Sequence, residues 1–180
     1  MKTVILFGSP RKKGNTIQLA QSMADQLKKK GGYVRMLYLN DLNIRPCQGC
    51  YTCIRDGSCR INDDMKDIRK YILESDVIVY ATPIYWFSPS AQLKLVMDRC
   101  IAFMDDGSQS RIRGKKAVTL MTYADNNTDT SRAAVSIFEK TFGLLKLDYA
   151  GSVEASGCSD GINLTQKYQK DIKRLVDSLA

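Results

Sequence analysis

Thr3-Val4-Ile5-Leu6-Phe7-Gly8-Ser9-Pro10-Arg11-Lys12-Lys13-Gly14-Asn15-Thr16 is the stretch that decides the fold. After Thr3 its opening run is β-branched or large and apolar without interruption, as expected of a strand buried on both faces. Gly8 ends the run, and a polar segment with a second glycine at position 14 follows. From Thr16 the period changes. Ile17, Ala20, Ala24 and Leu27 share one face of a helix predicted over 16–30, which carries lysines at its C-terminal end and stops at Gly31-Gly32. Strand, glycine-bearing turn and helix N-terminus together make an anion site. Unpaired backbone N–H groups point outward there, and the helix dipole adds positive potential.

The same alternation continues outward along the chain. Strands are predicted over 33–39, 76–81 and 116–122, and a fifth lies within 144–153. Helices are predicted from Asn62-Asp63-Asp64 to near Glu74, from near Ser90, over 131–142, and over 162–179. Five strands alternating with five helices imply an α/β sandwich of three layers, a parallel sheet with helices on both faces. The flavodoxin-like strand order 2-1-3-4-5 is the usual choice at this size, although the pattern also suits a small Rossmann-type sheet. No repeat, linker or low-complexity segment divides the chain, so one domain is expected over 1–180. A cysteine-rich loop at about 40–62 interrupts the periodicity, and a loop of that length is usually functional.

Composition narrows the function. The chain has 180 residues, 44% hydrophobic and 26% charged, and no apolar run approaches the ~20 residues that span a bilayer. The apolar start ends at Gly8 with no small-residue cleavage site, so it reads as a strand rather than a secretory signal, and the protein as cytoplasmic without a membrane partner. There is no His, which excludes His-based triads and His metal sites. The net charge of +8 comes from scattered Lys and Arg. With no nucleic-acid motif present, a field that draws in anionic ligands is a better reading than nucleic-acid binding.

The glycine loop excludes two nucleotide motifs letter by letter. A Walker A loop needs four residues between its glycines and then Lys. Here five separate Gly8 from Gly14, and Asn15 stands in the lysine position. A Gly-x-Gly-x-x-Gly dinucleotide fingerprint is broken by Gly8-Ser9-Pro10. What remains is a monophosphate-sized anion site offering Ser9, Asn15 and Thr16 as neutral donors and Arg11 as a charged one.

These residues resemble the FMN-phosphate loop of the NADPH-dependent FMN reductase family, whose relatives include the iron–sulfur flavoproteins. The resemblance continues through Pro46-Cys47-Gln48-Gly49-Cys50, Asp63-Asp64-Met65, Thr82-Pro83-Ile84-Tyr85, and Gln92-Leu93-Lys94 to Asp98-Arg99, covering roughly the first hundred residues. It implies FMN as cofactor, with Ser9, Arg11, Asn15 and Thr16 on the phosphate and Pro83, Ile84, Tyr85, Trp86 and Phe87 at the ring. It also implies NADPH or NADH as co-substrate, and a homodimer or homotetramer. The electron acceptor would be a small molecule or a redox protein. An electron carrier or redox sensor without its own pyridine-nucleotide turnover is the rival reading.

Topology places the ring loop independently. Ligands of open α/β sheets bind outside the carboxyl ends of the strands at the switch point, where the loops after the first and third strands meet. Tyr85, Trp86 and Phe87 can wall a flat ring there, and three consecutive aromatics on a loop make poor core geometry. Tyr123, in the loop after the fourth strand, is expected near the far edge. Cys47-x2-Cys50-x2-Cys53-x5-Cys59 has the character of iron–sulfur ligands, which makes a [4Fe-4S] cluster, zinc, unligated thiols and a disulfide the competing readings. Cys100 falls on an apolar helix face and reads as core. Cys158 lies in a polar loop.

Overall fold

The computed structural model describes residues 1–159 and 162–179. The central sheet is built from β1 (Lys2–Phe7), β2 (Tyr33–Tyr38), β3 (Val77–Tyr85), β5 (Lys116–Thr122) and β6 (Asp148–Ala155). Their spatial order is β2-β1-β3-β5-β6, and every pairing among them is parallel. Counted as five parallel strands, this is the expected 2-1-3-4-5 order. A sixth strand, β4 (Ser88–Pro89), pairs antiparallel with the end of β3 and was not foreseen. A two-residue strand carries too little periodicity to be seen in sequence.

Side-chain alternation sorts the core into two layers. On β1, Val4 and Leu6 face one layer, while Ile5 and Phe7 face the other. On β3, Ile78 and Tyr80 join the first layer, and Val77, Val79 and Ala81 the second. The first layer is closed by α3 (Met65–Glu74), α4 (Ala91–Asp98) and α5 (Arg132–Leu145). The second is closed by α1 (Asn15–Lys29) and by α6 (Leu164–Lys167) and α7 (Gln169–Ser178). Because both faces are covered, β1 and the first half of β3 read as continuous apolar runs, whereas the edge strands β2 and β6 carry polar residues such as Arg35 and Glu154.

Several boundaries move. α5 continues to Leu145 because Leu145 is buried, and it ends on Lys146 in the left-handed region (φ 54°). Leu144 therefore belongs to the helix, and β6 begins only at Asp148. The last helix is two helices. Asn163 caps α6 by accepting from the Gln166 N–H (3.1 Å), and Tyr168 interrupts the run before α7. The cysteine segment contains a short helix, α2 (Thr52–Asp56), framed by left-handed residues at Tyr51 and Gly57. Among the described residues, no helix is long and apolar enough to cross a membrane.

One consequence of register positions the site. β1 makes its last pairing with β3 at Phe7↔Ala81, yet β3 runs on to Tyr85. Four residues of β3 therefore project past the end of β1, over the glycine loop that leaves it.

Candidate functional site

The glycine loop is fastened to the start of α4 by one hydroxyl. Gly8 donates its N–H to the Ala81 carbonyl at 2.8 Å, and Ser90 Oγ donates to the Gly8 carbonyl at 2.6 Å. Ser90 is fully buried. Its N–H donates to Thr82 Oγ1 (3.0 Å), and its Oγ accepts from the Leu93 N–H (3.4 Å), which caps α4. A side chain at position 8 would put Cβ 2.8 Å from Leu93 Cβ and 2.9 Å from Ser90 Oγ, so the close approach itself demands glycine. Ser90 thus joins the phosphate-loop backbone to the β3 extension, a role that the sequence reading missed although it placed a helix start there. A serine directly before an apolar helical period was the available signal.

The loop is shaped for an anion. Ser9 is buried, and its Oγ accepts from the Arg11 N–H at 3.1 Å, folding the chain back on itself. α1 has Gly14 at its N-cap, no side-chain cap and no acidic residue in its first turn. Among the described residues no side chain caps this terminus, which fits a phosphate. Thr16 and Asn15 are buried at the same terminus. Thr16 Oγ1 shares a 2.7 Å hydrogen bond with Thr122 Oγ1, and Asn15 Nδ2 donates to the Ser159 carbonyl (3.3 Å). Two hydroxyls in one hydrogen bond use one proton, leaving the second to donate elsewhere. Arg11 is exposed beside the loop, and Lys12 pairs with Asp41 at 2.5 Å.

Beyond the loop, β3 turns back through Trp86 and Phe87 into β4, with Tyr85 opposite Ser88. Both turn residues have positive φ, 49° and 63°. Two-residue hairpins of this kind prefer Asn and Gly, and each ordinary residue there costs about 1–2 kcal/mol. Two bulky aromatics are held in that conformation and exposed, Trp86 to 93%, with Tyr85 and Phe87 also open to solvent. Strain and exposure together mark a binding surface rather than core packing. Pro83 and Ile84 are buried just behind it. Tyr123 is different in kind. Its ring lies in the first core layer at 5% exposure, while its backbone ties the loop after β5, the third loop at this end of the sheet, to Ala155 at the end of β6 (3.0 Å) and to Cys158 beyond it (2.9 Å).

The four clustered cysteines line one cavity of about 190 Å³, against Asp98, Arg99 and Ile101. Cys47 and Cys50 are exposed, Cys59 is half-buried, and Cys53 is buried on α2. Hydrogen bonds from Thr52 hold the Cys50 thiol below its ordinary pKa. Burial, and then the neighbouring Cys59, push the Cys53 thiol up. Among the described residues, no three of these or any other Cys, Asp or Glu side chains are arranged to hold one metal ion. The donor set suits a cluster chemically, but as folded here it does not form a chelating group.

A buried ion pair anchors that segment, and sequence reasoning did not assign it. Asp63 Oδ2 accepts from Arg99 Nη1 at 2.5 Å and from the Arg45 N–H at 2.9 Å, and Arg99 Nη1 also donates to the Arg45 carbonyl at 3.2 Å. The two side chains are 2% and 0% exposed. Burial opposes the Asp63 charge, but the Arg99 and backbone hydrogen bonds outweigh it and hold the carboxyl below its usual range. Asn62-Asp63-Asp64 was expected to supply the N-cap of α3, and Asp64 stands at that position without a side-chain cap bond. Asp63 does receive the Met65 N–H (3.2 Å), while Asp64 accepts from the Asn43 N–H (2.7 Å), so both acids also fasten the loop before them. Cys100 is core as expected, its thiol pushed up to about 12 by burial. Cys158 is half-buried, with Sγ toward the Ala155 carbonyl (3.1 Å).

Comparison with known proteins gives this geometry its context. Two iron–sulfur flavoproteins of Archaeoglobus fulgidus are similar to the chain. One is 30% identical over 83% of this chain and 67% of its own length, and the other is 32% identical over 88% and 77%. Among solved structures, an NAD(P)H:quinone oxidoreductase from Methanothermobacter marburgensis shares the fold with a TM-score of 0.76. It is 18% identical, across 99% of this chain and 96% of that one. The sequence pattern of the NADPH-dependent FMN reductases matches residues 1–146, and the chain accordingly belongs to that family, FMN-dependent oxidoreductases on a flavodoxin-like fold.

Proposed function

We propose that the chain is an NAD(P)H:acceptor oxidoreductase. FMN would lie with its phosphate on the loop 8–16 and its ring against the Tyr85-Trp86-Phe87 hairpin. The observation that carries the reading is the junction at Ser90, which locks an anion-binding helix terminus to an exposed aromatic turn. Bound there, FMN supplies a ring that takes hydride from a nicotinamide and passes electrons onward. The protein's part is position. Ser9, Arg11, Asn15 and Thr16 hold the phosphate, and the β3 extension through Pro83 and Ile84 carries the hairpin over it, with Tyr123 supporting the third loop from below. No side chain need move a proton in the hydride step, which suits a chain without His. NADPH or NADH is the donor and a small molecule or redox protein the acceptor, in a cytoplasmic homodimer or homotetramer built from a single domain over 1–180. Anaerobic mixing of FMN-loaded protein with NADPH and with NADH tests it. Prompt bleaching of the flavin absorbance is the expected result, and a flavin left oxidised by both donors would sink the proposal.

A second reading has its own observation. Four thiols on one cavity wall, in a chain similar to proteins named iron–sulfur flavoproteins, favour an electron carrier or redox sensor with Cys47, Cys50, Cys53 and Cys59 as cluster ligands. Strictly anaerobic purification followed by iron and acid-labile sulfide analysis decides between the two. Four irons per chain and no bleaching by NAD(P)H would favour the carrier.

A further inference from the structure

A second cavity, of about 320 Å³, lies between the exit of the cysteine segment, the first turns of α3 and the turn that follows α4. Arg60, Lys66, Arg69 and Arg99 line it, and no acidic side chain does. Arg99 is nine-tenths buried and more. Its Nη1 is matched by Asp63, but its Nε is sealed from solvent with no hydrogen-bond partner among the described residues. Arg69 is half-buried, its guanidinium lies 5.8 Å over the Phe103 ring, and its Nε is likewise buried and unpartnered. Burial and the nearby Arg111 both disfavour the Arg69 charge. Of these four cations only Arg99 has an acidic partner among the described residues, and the two buried, unmatched Nε donors of Arg69 and Arg99 in the cavity wall point to a missing acceptor.

A thiol of the cysteine segment is the obvious rival partner for these donors. Of the four, Cys59 alone reaches this cavity, where it lies beside Arg99; the other three line the smaller neighbour that shares Cys59 and Arg99 with it. The phosphate loop shares no residue with it. Guanidinium forks match phosphate oxygens in pairs, and Ser58 and Asn62 add neutral polar groups to the wall. Ile61, Met65 and Ala102 supply an apolar side. The volume falls at the lower end of the range, roughly 300–1,000 Å³, that small organic ligands occupy, well above the needs of a bare ion. We propose that this cavity is a second anion site, independent of the flavin phosphate loop, for a small organic phosphomonoester whose phosphate meets Arg69, Lys66 and Arg99 and whose body rests on Ile61 and Met65.

The test uses FMN-loaded protein, so that the phosphate loop is already filled, titrated calorimetrically with phenyl phosphate. One saturable site per chain is expected. Arg69→Gln and Lys66→Gln should each weaken it about tenfold or more, the loss of one charge-assisted hydrogen bond. Lys28→Gln, which removes the same charge from the end of α1, should leave the affinity unchanged. Absence of saturable binding would overturn the proposal. So would equal weakening by Lys28→Gln and Lys66→Gln, which would mean general attraction to a basic surface. Should Arg69→Gln fail to fold, as judged by lost FMN binding, the exposed Lys66 variant alone decides.

Discussion

Two buried side chains hold the site in shape, and each makes a prediction. Ser90→Ala removes the hydrogen bond to the Gly8 carbonyl and the α4 cap together. A lost cap and a buried carbonyl left without its donor each cost about 1–2 kcal/mol. Fluorescence titration should therefore show FMN binding weakened by roughly tenfold, with a lower melting temperature in the apo protein. An unchanged FMN affinity would mean that the loop holds its shape without the tether. At the other anchor, Asp63→Asn leaves Arg99 buried beside a neutral amide and should cost about 3–5 kcal/mol. The pH dependence has a definite sign. Asp63 is held below its ordinary pKa in the folded state, so its contribution is complete above about pH 4 and is lost as pH falls through the lower folded value. In denaturant melts, the stability gap between the parent and Asp63→Asn should be constant near neutrality and close only in strong acid. A gap that closed between pH 5 and 7 would assign the effect to another group.

At the scale of elements, the hairpin formed by β3 and β4 is where local rules are broken. Trp86 and Phe87 occupy positions suited to Asn and Gly. Replacing the pair by Asn-Gly should relieve about 1–2 kcal/mol per residue and raise the apo melting temperature, while weakening FMN binding through loss of the aromatic wall. A drop in both would show that the aromatics are structural. This element also marks the limit of what sequence could tell. Its aromatic composition and its place after the third strand were readable, because a continuous apolar run fixed the strand and the switch-point rule fixed the loop. Its turn geometry was not, since Trp-Phe is the opposite of a hairpin-turn signature. The cysteine segment shows the same split. Its spacing was legible as a thiol cluster, but the Asp63–Arg99 anchor joins residues 36 apart, which no local period encodes. Arg99 sits where the α4 pattern continues its apolar face toward Cys100, and an arginine there was the one local hint of a buried charge.

Across the whole molecule, the sheet was the most legible feature, because burial on both faces makes every central strand a plain apolar run. Strand order followed from size and connection type rather than from any residue. Charge is the other property that belongs to the whole chain. A net charge of +8, with Arg11, Lys12 and Lys13 at the loop that leaves β1, gives anionic donors a favourable approach to the proposed flavin site. Exposed charges are screened over about 30 Å at 0.01 M salt and about 10 Å at 0.1 M, so the attraction is a low-salt effect. Stopped-flow reduction of the FMN-loaded protein under subsaturating NADPH should therefore slow several-fold between those two salt concentrations. NADH, which lacks the extra phosphate, should slow less. Reoxidation by an uncharged quinone should hardly change, because it has no charge for the field to act on. Equal slowing of NADPH, NADH and the quinone would locate the salt effect in the protein's own conformation and leave the basic surface without a part in donor capture.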